Sequence, residues 1–290
     1  MSFVESEIAS QPSCWRRAIE LVDAFSYELP FGGDRVAVVG CGTSLYVAQA
    51  YAARREARGH GETDAFPASE FPARRRYDRV VAVTRSGTTT EVVDLLAALR
   101  PQSGRVLAIT ASPGSPVATV ADHVVVLDHA AEQSVVQTRF ATTALAFLRA
   151  GLGDPDLDRA LVDVDAALAA PLPGPARHLT FLGSGWVAGL AQEAALKCRE
   201  SAGMWAEAYP AMEYRHGPIS VAGPETLVWA LGPLPPGLAD QIASTGALLV
   251  VAELEPLAEL VRIQRFAVAS ALAAGLDPDH PRNLSYSVIL

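Results

Sequence analysis

The sequence predicts an α/β protein made of two copies of one unit, each a mostly parallel sheet with helices on both faces. Three observations carry this. Short apolar runs rich in β-branched residues alternate with stretches of helical spacing. Strands that connect through helices build parallel sheets covered on both sides. A strand that ends in Gly-x-Gly and opens a helix occurs twice, as VAVVGCG and as LTFLGSG.

The elements follow in order. Residues 1–30 read as an N-terminal helical segment with about one helix. The first copy, residues 31–165, opens with the strand Arg35–Val39, the glycine turn Gly40–Ser44 and a helix from Leu45 to Arg58. Val80–Thr84 is the next strand, followed by a tight turn at Ser86-Gly87 and a helix from Thr89 to Arg100. Val106–Thr110 and Val124–Leu127 are further strands. An acidic helix and the Pro-Gly stretch PLPGPAR then lead into the second copy, residues 166–290. There His178–Leu182, Gly183-Ser-Gly185, a helix through Ala191 and Gln192, and the strands Leu227–Leu231 and Ala247–Val251 repeat the plan.

Composition excludes several classes. The chain of 290 residues is 50% hydrophobic and 19% charged, which rules out wholesale disorder. Its net charge of −9 gives no basic face for nucleic acid. The three cysteines, Cys14, Cys41 and Cys198, form no CxxC pair, so neither a zinc site nor a disulfide framework is expected and a reducing cytoplasm fits. No secretory signal is read at the start, and no run approaches the ~18–20 apolar residues of a membrane span. Among the basic residues there is a single lysine, Lys197.

Chemistry concentrates in two places. Ser86-Gly87-Thr88-Thr89-Thr90 lies between a buried strand and a helix, where unpaired backbone N–H groups favour an anion. Gly87 permits close approach, and the hydroxyls of Ser86, Thr88 and Thr89 are neutral donors suited to a phosphate monoester. The same residues also read as a capping box, Thr88-x-x-Glu91. Gly40-Cys-Gly-Thr-Ser is not a dinucleotide fingerprint, because position 45 is Leu45, and no Walker lysine is present. Thr43 and Ser44 instead start a helix at the carboxyl edge of the sheet, where such sheets bind ligands. The second place is Gln192–Glu200, where Glu193, Lys197 and Glu200 share one helical face at i, i+4 and i+7. That spacing most often marks a solvated ion-pair stripe, but the neighbours Ala194, Ala195, Leu196 and Cys198 are apolar. His216, before Gly-Pro, sits on a turn, and a carboxylate with a histidine is the usual equipment for proton movement near neutral pH.

In order, GCGTS, TRSGTTTE, EQSVVQTR, EAALKCRE, AEAYPAMEYRHGP and HPRNL resemble the sugar isomerase (SIS) family. Within it they resemble the tandem-SIS isomerase half of glucosamine-6-phosphate synthase, without the glutaminase half. The resemblance runs from about residue 30 to 290. It implies two tandem flavodoxin-like three-layer sandwiches, each built on a mostly parallel five-stranded sheet. It further implies a sugar phosphate held by Ser86 and Thr89 with Thr84 and Ser44 nearby. Cys41, Gly42, Thr43 and Val135 would line the same pocket, with Arg85, Gly87, Thr88 and Gln137 beside them. The glutamate matching Glu200 moves a proton between sugar carbons, and the histidine matching His216 opens the ring. The lysine matching Lys197 belongs to the same site. A homodimer with His216 reaching the neighbouring subunit's pocket is implied, with no cofactor, no metal and no ammonia delivery from glutamine.

The departures bear on the reaction. The family tail reads close to PRNL-x-K, with the lysine forming a Schiff base, whereas this chain has Tyr286 there, which cannot form an imine. Arg85, Gln137 and Arg139 also differ. Three readings follow: aldose–ketose isomerisation or deamination of a hexose or amino-sugar 6-phosphate; a lyase or dehydratase that expels a C3 substituent after the C2 proton is lost; and a sugar-phosphate sensor that only binds. The short N-terminal segment has no room for a helix-turn-helix module, which weighs against the sensor.

Overall fold

The computed structural model describes residues 2–99 and 105–290. The helices are α1 (Phe3–Ala9), α2 (Gln11–Glu20), α3 (Thr43–Ala57), α4 (Thr90–Leu99), α5 (Val117–Val120), α6 (Arg139–Gly151), α7 (Leu157–Ala169), α8 (Val187–Ala202), α9 (Leu238–Ser244) and α10 (Pro256–Ala273). The strands are β1 (Val36–Gly40), β2 (Thr63–Pro67), β3 (Arg79–Val83), β4 (Arg105–Thr110), β5 (His123–Val126), β6 (His178–Gly183), β7 (Trp205–Pro210), β8 (Thr226–Ala230) and β9 (Leu248–Val251). They divide into two compact units, each discontinuous in sequence. One holds Ser10–Gln133, Gln137–Leu157 and Ser285–Leu290; the other holds the residues up to Ala9, Ser134–Val136 and Asp158–Leu284.

The first unit contains an all-parallel sheet in the order β2-β1-β3-β4-β5. Its central strands β1, β3 and β4 are apolar on both faces because both are covered. Ala37, Val39, Val80, Ala82 and Val106 pack with Val92, Leu96 and Leu99 of α4. The alternating residues Val36, Val38, Val81, Val83 and Ile109 are fully buried on the opposite face. This unit also holds α2, whose Trp15 indole donates to Thr142 Oγ1 of α6 at 2.9 Å.

The second unit contains a parallel sheet in the order β7-β6-β8-β9. Leu182, Val228 and Ala230 pack with Leu238 and Ile242 of α9. Trp229 faces α10, with its ring 5.6 Å from Phe266 and its Nε1 donating to Glu259 Oε1 at 2.8 Å. Among the described residues this sheet has four strands, not the five expected. In the first unit α5 and a fifth strand follow β4. Here the residues after β9 go straight into α10, whose start is fixed by Pro256 and by Glu255 accepting from Leu257 N at 2.7 Å. The β9 edge is left open, with Leu248 52% and Val251 44% exposed.

Other expectations shift locally. The N-terminal segment holds two helices, α1 and α2, not one. The helix expected to reach Arg100 is observed to Leu99; Arg100 lies outside the described residues. Strands β2 and β7 had no counterpart in the sequence reading. Both pair on one side only and are partly exposed, and TDAFP and WAEAYP carry charges that interrupt the apolar signal. No helix among the described residues is long and apolar enough to cross a membrane.

Candidate active site

β1 and β3 are neighbours, with Val39 opposite Ala82, so Cys41 and Thr84 leave the sheet at the same carboxyl edge. In the order 2-1-3-4-5 this is where the strand order reverses, and ligands of open α/β sheets bind in the crevice at that point. After β1 the chain turns at Gly42 with φ 55° and enters α3, burying Thr43 and Ser44. Gly40 lets the helix approach: a Cβ there would lie 2.6 Å from the Ser44 carbonyl carbon. Burial pushes the half-buried Cys41 thiol up, so it does not present a thiolate.

After β3 the loop is held from below. Thr84 N donates to Ile109 O at 3.0 Å, and the Arg85 carbonyl accepts from Ala111 N at 3.1 Å and Thr110 Oγ1 at 3.0 Å. Gly87 has φ 64°, and its carbonyl accepts from Val117 N at 3.0 Å. The hydroxyls then converge: Thr88 Oγ1 lies 3.0 Å from Ser86 Oγ, and Thr88 N donates to Ser86 Oγ at 3.2 Å. The capping box does not form, because Thr88 turns to Ser86 and the helix begins at Thr90. Arg85 is buried and pairs with Glu132 at 3.1 Å, while the Glu132 carboxylate also accepts from Thr138 N at 2.6 Å and Thr138 Oγ1 at 3.0 Å. Glu132 was not singled out in the sequence; a carboxylate inside the hydroxyl- and amide-rich EQSVVQTR segment is the signal it carries. Gln137 is half-buried in this unit. Val135, expected to line the same pocket, belongs to the other unit, where its N–H donates to Asp279 O at 3.0 Å.

The second unit holds the ionisable set. Lys197 is 1% exposed, with Nζ 3.3 Å from Glu193 Oε1 and 2.5 Å from Glu200 Oε2. The stripe is therefore a buried network, not a solvated one. Glu193 is fully buried, whereas the Glu200 carboxylate is 19% exposed. Glu200 lines a cavity of about 580 Å³ formed by Arg199–Gly203 at the end of α8 and by Gly275–Asp277 and His280–Asn283. In that wall His280 Nδ1 lies 3.1 Å from Asp277 Oδ2, and the Asp279 backbone N–H helps hold the Asp277 carboxyl below its usual range. Burial pushes the Cys198 thiol far up, so the cysteine beside Lys197 is inert. His216 ends the short 3-10 turn Glu213–Arg215, exposed, and does not line the Glu200 cavity. Among the described residues no group of three or more His, Cys, Asp or Glu is placed to hold a metal ion.

Residues 32–150 match the SIS domain. The matched stretch resembles that domain. It spans β1 to β5 and carries both the Gly40–Ser44 turn and the hydroxyl loop. The chain is 31% identical to glutamine–fructose-6-phosphate aminotransferase [isomerizing] of Streptomyces coelicolor over 88% of its length, covering 52% of that protein. It is 27% identical to the enzyme of the same name from Sulfurisphaera tokodaii, over 93% of this chain and 52% of the relative. The chain thus spans about half the length of the curated relatives it matches. Its fold matches glucosamine-6-phosphate deaminase of Thermotoga maritima (TM-score 0.84, 24% identity, 100% of both chains). It also matches tagatose-6-phosphate ketose/aldose isomerase of Escherichia coli (TM-score 0.81, 21% identity, 97% of both chains). The family match falls within residues 32–150, and the likeness to the solved structures shows the fold.

Proposed function

We propose that the protein is a phosphosugar-processing enzyme of the SIS family, acting on a hexose or amino-sugar 6-phosphate as an isomerase or deaminase. The observation that carries this is the convergence of the Ser86, Thr88 and Thr89 hydroxyls and the start of α4 at the carboxyl ends of β1 and β3. Neutral donors at a helix start stabilise a phosphate ester without requiring a lysine. The sheet order β7-β6-β8-β9 repeats that of β2-β1-β3-β4, which supports reading residues after 165 as a second, diverged SIS copy. That copy has Gly232-Pro-Leu-Pro-Pro-Gly237 where the first has hydroxyls, so the phosphate role falls to the first copy alone.

In this reading the ring oxygen is released with help from His216, which acts on the neighbouring subunit of a homodimer. Its exposure on a turn away from the Glu200 cavity supports that role. Glu200 then takes the C2 proton and returns it to C1 through an enediol-type intermediate. From an aldose this gives the ketose; from an amino sugar, water replaces nitrogen at C2 and ammonia leaves. Lys197, within reach of both Glu193 and Glu200, fixes the Glu200 carboxylate and neutralises it between proton transfers.

Elimination at C3 after the same first step is the second reading. It is favoured by Tyr286, whose phenol donates to Glu132 O at 3.2 Å and which offers no amine for an imine. Purified protein given glucosamine 6-phosphate, N-acetylglucosamine 6-phosphate and fructose 6-phosphate separates these readings. Ketose or ammonia supports the first, and an ultraviolet-absorbing unsaturated sugar the second. Glu200→Gln lowers kcat by ~10²–10⁴ in either case. Binding without turnover across a broad phosphosugar panel overturns both in favour of a sensor.

A further inference from the structure

The hydroxyl loop carries a ligand of its own: the segment Ser285–Leu290 lies on it. Ser287 Oγ sits 3.1 Å from Ser86 Oγ, 2.9 Å from Thr88 Oγ1 and 3.4 Å from Thr89 Oγ1. One oxygen thus occupies the focus of three hydroxyls. At the start of α4, Thr90 N donates to the Val288 carbonyl at 3.2 Å, and Leu290 N donates back to Thr90 Oγ1 at 3.0 Å. Two residues upstream, Arg85 Nη2 donates to the Tyr286 carbonyl at 3.0 Å. The Arg85 guanidinium also lies over the Tyr286 ring, 3.9 Å from its centre.

Hydroxyl protons are limited. Ser86, Thr88, Thr89 and Ser287 each carry one, and within this cluster they are shared among the four oxygens. The Thr90 N–H, one of the donors that a helix start would offer an anion, is spent on Val288. A phosphate ester seated in the loop needs these same donors. Its oxygens cannot share the focus with Ser287 Oγ or the Thr90 N–H with Val288 O. The anion has the advantage of charge, since hydrogen bonds to an ionised acceptor are about twice as strong as neutral ones. The segment has the advantage of being tethered by the Arg85–Tyr286 stack, which uses no donor of the loop hydroxyls.

We propose that Ser285–Leu290 is a self-docked strap that competes with the phosphate ester for the loop, with Ser287 Oγ standing where a phosphate oxygen binds and Arg85–Tyr286 acting as its latch. The proposal rests on the loop being the phosphate site. Apparent affinity for a tetrahedral oxyanion is then reduced by the fraction of molecules in which the strap is on. Tyr286 has a positive role here: it anchors the strap to Arg85 and Glu132 where an imine-forming amine would stand in the resembled family.

The test is calorimetric titration of inorganic phosphate into the full chain, its Ser287→Ala variant and its Ser86→Ala variant. It is read together with hydrogen exchange over residues 285–290. Ser287→Ala removes a neutral hydroxyl partner whose net worth is that of about one hydrogen bond, so phosphate binding tightens by roughly fivefold. Exchange over 285–290 speeds up when phosphate is added to the unmodified chain. If Ser287→Ala weakens phosphate binding or leaves it unchanged while Ser86→Ala abolishes it, the loop binds phosphate and the strap proposal is overturned. Slower exchange over 285–290 with bound phosphate overturns it as well, since the segment then closes over the anion. If Ser86→Ala leaves phosphate binding unchanged, or phosphate binds none of the three proteins, the loop is not the phosphate site and both readings fall together.

Discussion

Replacing Gly87 by alanine adds a Cβ 2.1 Å from Ser115 Oγ, 2.7 Å from Ser115 Cβ and 3.0 Å from Val117 Cγ1, at a backbone φ of +64°. Two penalties add. A left-handed backbone costs a residue with a Cβ ~1–2 kcal/mol. Overpacking against a side chain that cannot retreat costs ~1–3 kcal/mol. Ser115 is so constrained, because its hydroxyl donates to Ser112 O at 2.8 Å. Gly87→Ala therefore loses about 2–5 kcal/mol. Gly42 is the internal control. Its φ is +55°, but nothing lies within 4 Å of the position its Cβ would take. Gly42→Ala bears backbone strain without the clash, ~1–3 kcal/mol at φ 55° and ψ −125°. Urea denaturation of both variants, with the m-value checked for constancy, measures the difference. Equal losses in the two variants would show that the Ser115 contact does not constrain the loop. Because the Gly87 carbonyl accepts from Val117 N, relief of the clash displaces the loop, and inorganic phosphate binding falls in Gly87→Ala more than in Gly42→Ala.

Lys197→Met leaves the buried Glu193 carboxylate without its cation, which costs ~3–5 kcal/mol; adding Glu193→Gln recovers most of that in a thermal melt, and no recovery would refute the pairing. Burial by itself raises the Asp154 carboxyl, but the hydrogen bond from Arg54 and the charge of Arg149 outweigh it and hold the group at about 2, against 3.8 when unperturbed. A depressed carboxylate contributes stability that is present above the unfolded value and is lost as pH falls through the folded one. Unfolding free energy therefore drops by about 2 kcal/mol between pH 5 and 2 from this group, and Asp154→Asn flattens that part of the profile.

Several features were legible in the chain because they are local. Runs such as VAVVG and RVVAV are buried on both faces, so their β-branched composition identifies them as strands without knowledge of neighbours. The hydroxyl loop is contiguous, and glycine with three hydroxyl residues after a strand carries its chemistry in the order of residues. Lys197 with Glu193 and Glu200 is fixed by helical periodicity. The edge strands β2 and β7 were not legible, because a strand paired on one side tolerates the charges of Asp64 and Glu207.

The sequence by itself determined the parallel α/β plan, the glycine- and hydroxyl-rich loop and the face shared by Glu193, Lys197 and Glu200, all of which follow from spacings of a few residues. Only the tertiary structure decided that this face is buried, that Arg85 is spent on Glu132, and that Ser287 sits among Ser86, Thr88 and Thr89. Those contacts join residues 47 and about 200 positions apart. The reason is physical. Periodicity records which side of an element is apolar, but burial of a charge and the pairing of a hydroxyl depend on what another part of the chain brings against it.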